Sequence, residues 1–177
     1  PLLISGCALG LNWVLLFESY QYTSVSVATI CYYFAPAIGM LMCPVLFQER
    51  LSWRQWLCFG MSALGLILIT GVQPDSPGGQ PFLGIVLALG AAVLYATVVV
   101  SNKKMTALVG LQRTFWQFLC AIVVLSVYTL LRGGFHLEQL DPPGWIFLLI
   151  VGFLHTGIAY CLYFTSLQDL PGQKAAI

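Results

Sequence analysis

The residue with the clearest chemical potential is His155, which lies near the centre of the apolar stretch 144–167. A titratable side chain is costly inside a bilayer, and the ones that occur there usually have a function. Because imidazole titrates near neutral pH, His155 could bind a substrate or take up a proton. The alternative is a neutral histidine that hydrogen-bonds to a neighbouring helix.

The neighbours of His155 favour a pocket on one side of this stretch. At the rotation of about 100° per residue of an α-helix, small and polar residues share one side and apolar residues the other. In a membrane the polar side faces the protein, so Tyr160 becomes a second candidate for substrate contact. The polar side comprises Gly152, His155, Thr156, Ala159, Tyr160, Tyr163 and Ser166.

An internal repeat supplies a second polar surface. Residues 10–30 are similar to residues 157–177 at a constant offset and without a gap. At this offset Trp13 matches Tyr160, and the neighbouring Asn12 lies near the middle of the apolar stretch 2–20. Two such surfaces, opposed across a pseudo-two-fold axis, would enclose a polar pocket. The alternative for Asn12 is an interhelical hydrogen bond that serves packing only, and the alternative for Trp13 is core packing.

Two more features of the first half could act on a substrate. Pro36 lies inside an apolar stretch, where its missing N–H favours a kink. Tyr32 and Tyr33 precede it by about one turn, and one of them is expected to face inward; we take Tyr33 as the candidate. Glu18 is embedded in an apolar stretch and could attract a cationic substrate or carry protons, or its carboxylate could reach interfacial water.

Composition excludes a water-soluble protein. Hydrophobic residues make up 59% of the 177, charged residues 7%, and mean hydropathy is +0.90. A soluble domain carries about 25% charged residues, so this chain is an integral membrane protein surrounded by lipid. A net charge of +1 without a basic stripe indicates no nucleic-acid partner. The six cysteines lack Cys/His spacing and no enzyme signature occurs, so we expect no metal, cofactor or enzymatic site.

Six stretches approach the length of a transmembrane helix, which needs about 20 mainly apolar residues. All Lys and Arg residues except Arg132 fall in alternate loops, and the positive-inside rule places those loops in the cytoplasm. Arg132 is therefore predicted to lie on the external side. The predicted spans are 2–20, 24–46, 55–73, 82–102, 114–132 and 144–167.

The two copies of the repeat are five predicted helices apart and therefore cross the membrane in opposite directions. Inverted repeats of this kind are the architecture of many secondary transporters. We expect an all-α integral membrane bundle of inverted five-helix repeats, with ten helices in a complete protein and about six in this chain, an internal fragment. Residues 1–73 would be the C-terminal part of the first repeat (helices three to five), 74–81 an external linker, and 82–177 the N-terminal part of the second (helices six to eight and the start of nine).

Several motifs together resemble a known family. They are the Tyr22-Thr23-Ser24 turn, the mid-helix Pro36, the helix end Glu49-Arg50-Leu51 and the helix with Gln55, Gly60 and Gly65. With these motifs the chain resembles the EamA type of the drug/metabolite transporter superfamily. LGIVLALGAAVLYATVV is similar to the sixth helix of that family, and GFLHTGIAYCLYFTSL to the eighth. The resemblance implies ten helices, cytoplasmic termini and export or exchange of small metabolites. It also adds Tyr95 to the candidates, because the sixth helix lines the central path in these transporters.

The leading expectation is a secondary transporter, not an enzyme, that moves small metabolites such as amino acids across a bacterial inner or plasma membrane by alternating access. A nucleotide-sugar or sugar-phosphate exchanger is a near alternative, but it would need Lys or Arg within the helices to meet phosphate. An intramembrane enzyme would need a nucleophile and a base at mid-membrane depth. A non-transporting scaffold would not need the two polar surfaces.

Overall fold

The computed structural model describes residues 2–47, 51–71, 79–104, 110–135 and 140–159, and all regular elements in these residues are helical. This confirms the prediction of an all-α membrane bundle. A π-helical segment, Ile150–Ile158, continues the last α-helix. The α-helices are α1 (Leu2–Ser19), α2 (Val25–Tyr32), α3 (Ala35–Phe47), α4 (Trp53–Gly71), α5 (Pro81–Lys104), α6 (Gly110–Leu131) and α7 (Pro142–Leu149).

Five helical segments of the described chain are long and apolar enough to cross a membrane, and they coincide with the first five predicted spans to within a few residues. For the sixth span, the described residues contain the shorter apolar helix Pro142–Leu154. The rest of that predicted span, from residue 160 onward, lies outside the described residues. The five segments are Leu2–Ser19, Val25–Met42, Trp53–Gly71, Pro81–Asn102 and Gln112–Leu131.

Local signals in the sequence set the helix ends. At the start of α4, the Gln55 side chain accepts a hydrogen bond from the Ser52 N–H at 2.7 Å, and the Ser52 hydroxyl accepts one from the Gln55 N–H at 3.4 Å. This reciprocal capping box satisfies N–H groups that a helix start leaves unpaired. After α6, Gly133 and Gly134 have φ values of 115° and 98°, a region that glycine enters without steric cost.

The second predicted span is broken between α2 and α3, as Pro36 predicts. Pro36 has no N–H to offer the Tyr32 carbonyl, and its ring would clash with that carbonyl in a continuous helix. Instead α2 ends at Tyr32, and the Phe34 N–H bonds to the Cys31 carbonyl at 3.2 Å. The α-helical pattern of backbone hydrogen bonds resumes where the Ile38 N–H donates to the Phe34 carbonyl at 3.1 Å.

Helix α1 occupies the centre of the described bundle, between α5 and α6. It runs antiparallel to α5, because Asn12 contacts Ala91 while Thr23, just after α1, contacts Gly84 near the start of α5. It runs parallel to α6, because Ser5 near the start of α1 contacts Gln117 of α6, and Glu18 near the end of α1 contacts Arg132 just after α6. The polar residues of α1 therefore face two neighbours.

Small residues bring these helices close together. Three alanines of α5 at four-residue spacing are buried, Ala88 and Ala92 at 0% exposure and Ala96 at 1%, and Ala88 packs against α2. On the other side of α1, a methyl group added at Gly6 would lie 2.5 Å from the Cβ of Cys120. Close backbone approach of this kind drives helix association in membranes, where lipid is as apolar as the side chains.

Candidate functional site

Asn12 is completely buried between α1, α2 and α5. Its Nδ2 donates a hydrogen bond to the Ala91 carbonyl oxygen at 2.6 Å, and its Oδ1 accepts one from the Tyr32 hydroxyl at 3.4 Å. An amide suits this position because it donates and accepts at the same time. One side chain near the middle of α1 therefore joins three helices.

Two tyrosines extend this arrangement from the buried amide to an open surface. The ring centroids of Tyr32 and Tyr95 are 5.5 Å apart and the rings are tilted by 54°, within the range that aromatic pairs favour. Tyr32 is partly buried and Tyr95 is 37% exposed. Together Asn12, Tyr32 and Tyr95 form what we call the polar cluster. The cluster extends from a buried amide to a ring that is partly exposed.

The structure places Tyr32, rather than the candidate Tyr33, in the polar cluster. Tyr33 is 72% exposed. Tyr32 lies one helical turn after Ala28, which is fully buried against α5, whereas Tyr33 follows the more exposed edge that includes Thr29. The centroids of the two rings are 6.4 Å apart, so Tyr33 lies beside Tyr32 on the more exposed side.

Trp13 adjoins Asn12 in sequence but packs on a different side of α1. Its ring centroid is 5.7 Å from that of Phe118 in α6. It also contacts the hydrophobic cluster formed by Ala8, Leu9, Val98 and Ala121. This placement corresponds to the core-packing alternative for Trp13. The structure therefore brings Asn12 and Tyr95 together and leaves Trp13 apart from them.

The remaining candidates belong to the sixth span. Tyr160 and the side chain of His155 lie outside the described residues. The backbone around His155 is π-helical from Ile150 to Ile158, a form that is often found at functional sites. A π-helix turns through a smaller angle per residue than an α-helix, so the polar arc drawn with α-helical periodicity does not hold within this segment. Its described side chains, including Phe153 at 71% and Leu154 at 55%, are exposed.

A second group of buried polar side chains joins α1, α5 and α6 at the end predicted to be cytoplasmic. Gln117 is 3% exposed, and its Nε2 donates to the Ser5 hydroxyl and to the Asn102 side-chain oxygen, both at 2.6 Å. Arg113 donates to the Asn102 carbonyl at 3.2 Å. Gln117 is not among the candidates that the sequence indicates. An amide inside an apolar stretch, the signal that singled out Asn12, also marks Gln117.

At the opposite end of α1, Glu18 forms an ion pair with Arg132, which follows α6. The Glu18 side chain is 12% exposed and that of Arg132 is 54% exposed. The Nε of Arg132 also donates to the Tyr128 hydroxyl at 3.0 Å. The carboxylate of Glu18 therefore meets a cation rather than interfacial water alone.

A cleft of about 350 Å³ lies between α1 and α6 on the side of this ion pair. Its lining is apolar apart from the ring of one tyrosine, and no residue of the polar cluster takes part in it. Such a cleft is suited to hydrocarbon and not to a polar metabolite. The lining residues are Leu11, Val14, Val123, Val124, Val127, Tyr128 and Leu131.

The described residues contain no group of three or more His, Cys, Asp or Glu side chains that could hold a metal ion. The described cysteines Cys7, Cys31, Cys58 and Cys120 are free thiols. The polar cluster itself consists of one amide and two phenol groups, which form hydrogen bonds and aromatic contacts.

Comparison with known proteins gives consistent matches. The model of the EamA-like transporter family matches residues 1–71 and 82–177. An uncharacterized transporter of Bacillus subtilis (strain 168), YxxF, is 32% identical over 176 residues, which cover 99% of this chain and 56% of that protein. Biotin transporters of Salmonella typhimurium and Salmonella typhi are 25% identical over 166 residues, 92% of this chain and 54% of theirs. No solved structure matches the chain.

The chain spans about half the length of the curated relatives it matches. The family match extends over nearly all of it, and the described helices have the length and hydropathy of membrane spans. This is a multi-pass protein of the cell membrane. The chain belongs to the EamA-like transporter family.

Proposed function

We propose that the protein is a secondary transporter that moves a small metabolite across the cell membrane by alternating access. The observation that carries this proposal is the polar cluster, which lies near the middle of an apolar bundle. Transporters built from inverted repeats bind their substrates near the bilayer midplane, between the repeats. In this proposal residues 1–73 and 82–177 belong to the two halves, joined by an external linker at 74–81. Asn12 and Tyr32 come from the first half and Tyr95 from the second.

The substrate that best fits this site is a small metabolite with little net charge, such as an amino acid. The phenol groups of Tyr32 and Tyr95 can contact both polar and apolar parts of such a molecule, while the buried Asn12 holds Tyr32 in place. Biotin, which the Salmonella relatives are named for, is a second candidate, because it joins one carboxylate to a largely uncharged body. In this proposal His155, Tyr160 and Trp13 remain candidates for contact with the substrate, on the polar surfaces of the two repeat copies.

The positions of the basic residues disfavour an exchanger of sugar phosphates or nucleotide sugars. In the described helices, Arg54 lies at the start of α4, Lys103 and Lys104 at the end of α5, and Arg113 in the first turn of α6. None of these positions is near the polar cluster. A doubly charged phosphate in the middle of the membrane would lack the cationic partner that it needs.

The polar cluster also argues against a non-transporting scaffold and against an intramembrane enzyme. A scaffold that only packs in the membrane gains little from an aromatic pair that opens onto a surface. An intramembrane enzyme would need a nucleophile beside a base, and an asparagine with two tyrosines does not supply this combination. The names of the relatives, which are transporters, agree with transport rather than catalysis.

Uptake by proteoliposomes tests the proposal. The protein at its natural full length would be reconstituted and offered labelled amino acids, biotin and a nucleotide sugar, with a pH gradient imposed or collapsed. We expect saturable uptake of one compound from the first two classes and none of the nucleotide sugar. Dependence on the gradient would identify proton coupling. Absence of flux for the whole panel in a folded protein would contradict the proposal.

A further inference from the structure

We propose that the ion pair between Glu18 and Arg132 is a latch that holds the predicted external end of the α1–α6 contact closed. Opening of this latch would let the transporter expose its interior to that side of the membrane. The inference rests on the proposed transport by alternating access, since a static bundle would not need a contact that opens.

The position of the ion pair suits a latch. Helix α1 lies in the first segment matched by the family model, residues 1–71, and α6 lies in the second, residues 82–177. The pair thus bridges two segments that alternating access would move relative to each other. It also lies at the tip of the contact, where a small rotation produces the largest separation.

The α1–α6 contact differs between its two ends. Towards the predicted cytoplasmic end, methyl groups added at Gly6 and Gly10 would come within 2.5 Å and 2.8 Å of Cβ atoms on α6, so the helices touch closely there. The buried hydrogen bond from Gln117 to Ser5 reinforces that end. From the level of Gly10 towards the ion pair, an open apolar cleft of about 350 Å³ lies along the α1–α6 contact. The tightly packed end can act as a pivot, and the cleft is the part that can widen.

The chemistry of the pair also suits repeated opening. Arg132 is 54% exposed, so water can replace Glu18 as its partner at low cost. Its Nε is held by the Tyr128 hydroxyl, within the same turn of the chain, and its guanidinium carbon lies 5.7 Å from the centre of that ring. Arg132 therefore stays with α6 when the pair separates, while Glu18 moves with α1. The contact can break and form again without a rearrangement of either helix.

Thiol labelling tests the latch without any substrate. Val14 is 8% exposed and lines the cleft beneath the ion pair, so Val14→Cys would report the entry of water between α1 and α6. It would be introduced into the protein with its native cysteines replaced, and labelled from outside by a membrane-impermeant maleimide. We expect Glu18→Gln to raise the labelling rate about threefold, the effect of losing one partly exposed ion pair.

The matched substitutions distinguish a pairwise interaction from two separate effects. Arg132→Gln should raise the labelling rate more, by about tenfold, because it leaves the largely buried Glu18 carboxylate without its cation. Glu18→Gln combined with Arg132→Gln should return the rate to about that of Glu18→Gln alone. As a control, Val27→Cys, which is 6% exposed between α2 and α5, should label at an unchanged rate in all four backgrounds. Equal rates at Val14→Cys in all backgrounds, or strictly additive effects, would overturn the latch.

A reversible cross-link supplies a second measurement. In a variant that combines Glu18→Cys with Arg132→Cys, a reducible bifunctional reagent that joins the two thiols should abolish uptake, and reduction should restore it. Recovery on reduction excludes misfolding as the cause. Full uptake by the cross-linked protein would overturn the latch. If the wild-type protein transports nothing, the proposed function fails, whereas the labelling result still shows whether the ion pair holds the two helices together.

Discussion

The Nδ2 of Asn12 lies 2.6 Å from the carbonyl oxygen of Ala91, so a buried side chain ties α1 to α5 near the middle of both helices. The same amide accepts a hydrogen bond from Tyr32 and so places that ring against Tyr95. Packing and binding are therefore coupled at this point. A change at Asn12 should loosen the bundle and also displace a ring of the polar cluster.

Asn12→Ala should lower the free energy of unfolding by about 0.6 to 1.7 kcal/mol, the range of interhelical hydrogen bonds inside membranes. The measurement is denaturation by sodium dodecyl sulfate in mixed micelles. Thr97→Ala on α5 is the matched control, because the Thr97 hydroxyl bonds to Val93 of its own helix. If Asn12→Ala unfolds at the same denaturant concentration as this control, the hydrogen bond between Asn12 and Ala91 contributes nothing to stability.

Gly6→Ala should separate α1 from α6, because the added methyl would lie 2.5 Å from the Cβ of Cys120. We expect a loss of about 1–3 kcal/mol in the free energy of unfolding, the usual cost of overpacking. Gly60→Ala in α4 is the control, since nothing lies within 4 Å of its added methyl. That variant should be as stable as the wild type or slightly more stable. Equal stability of the two variants would contradict the close contact.

Gln117→Ala should also destabilise the protein, and its effect should depend on Ser5. Because the Nε2 of Gln117 donates to the Ser5 hydroxyl at 2.6 Å, the two substitutions remove the same hydrogen bond. A double-mutant cycle with Ser5→Ala should give a coupling energy of about 0.6 kcal/mol, typical of such bonds in membranes. Strict additivity of the two unfolding energies would show that the bond carries no stability.

Pro36→Ala would supply the N–H that the Tyr32 carbonyl lacks and would favour one continuous helix in place of α2 and α3. We expect equal or greater stability but uptake slower by about threefold or more, because Tyr32 would leave its position beside Asn12 and because hinge residues affect rate and affinity together. Uptake and unfolding would be measured on the same preparation. Unchanged uptake with a straightened helix would show that the break is not needed for function.

Periodicity and hydropathy were enough to predict the fold. The five described spans were predictable because helices in lipid must be long, apolar and internally hydrogen-bonded. The kink was predictable from Pro36 and the close helix contact of α5 from its alanines at four-residue spacing. Both features are local, and each depends on covalent geometry or on residue size alone.

The candidate site was less predictable, because its geometry depends on which helices become neighbours. Asn12 and Tyr95 emerged as candidates, but their connection through Tyr32 depends on which side of α2 faces α5. The partner of Glu18 lies more than a hundred residues away in sequence, at Arg132. The arc around His155 assumed α-helical rotation, which the π-helical backbone at Ile150–Ile158 does not follow.

The central claim is that the polar cluster binds the transported metabolite, and uptake kinetics of Tyr95 variants test it most directly. Val99→Ala, one turn further along α5 and 49% exposed, is the matched control. In proteoliposomes, Tyr95→Ala should raise the KM for the transported compound by up to about tenfold, as expected when an aromatic contact is lost. Tyr95→Phe, which keeps the ring, should have a smaller effect, and Val99→Ala should match the wild type. An unchanged KM and maximal rate in Tyr95→Ala would contradict the claim.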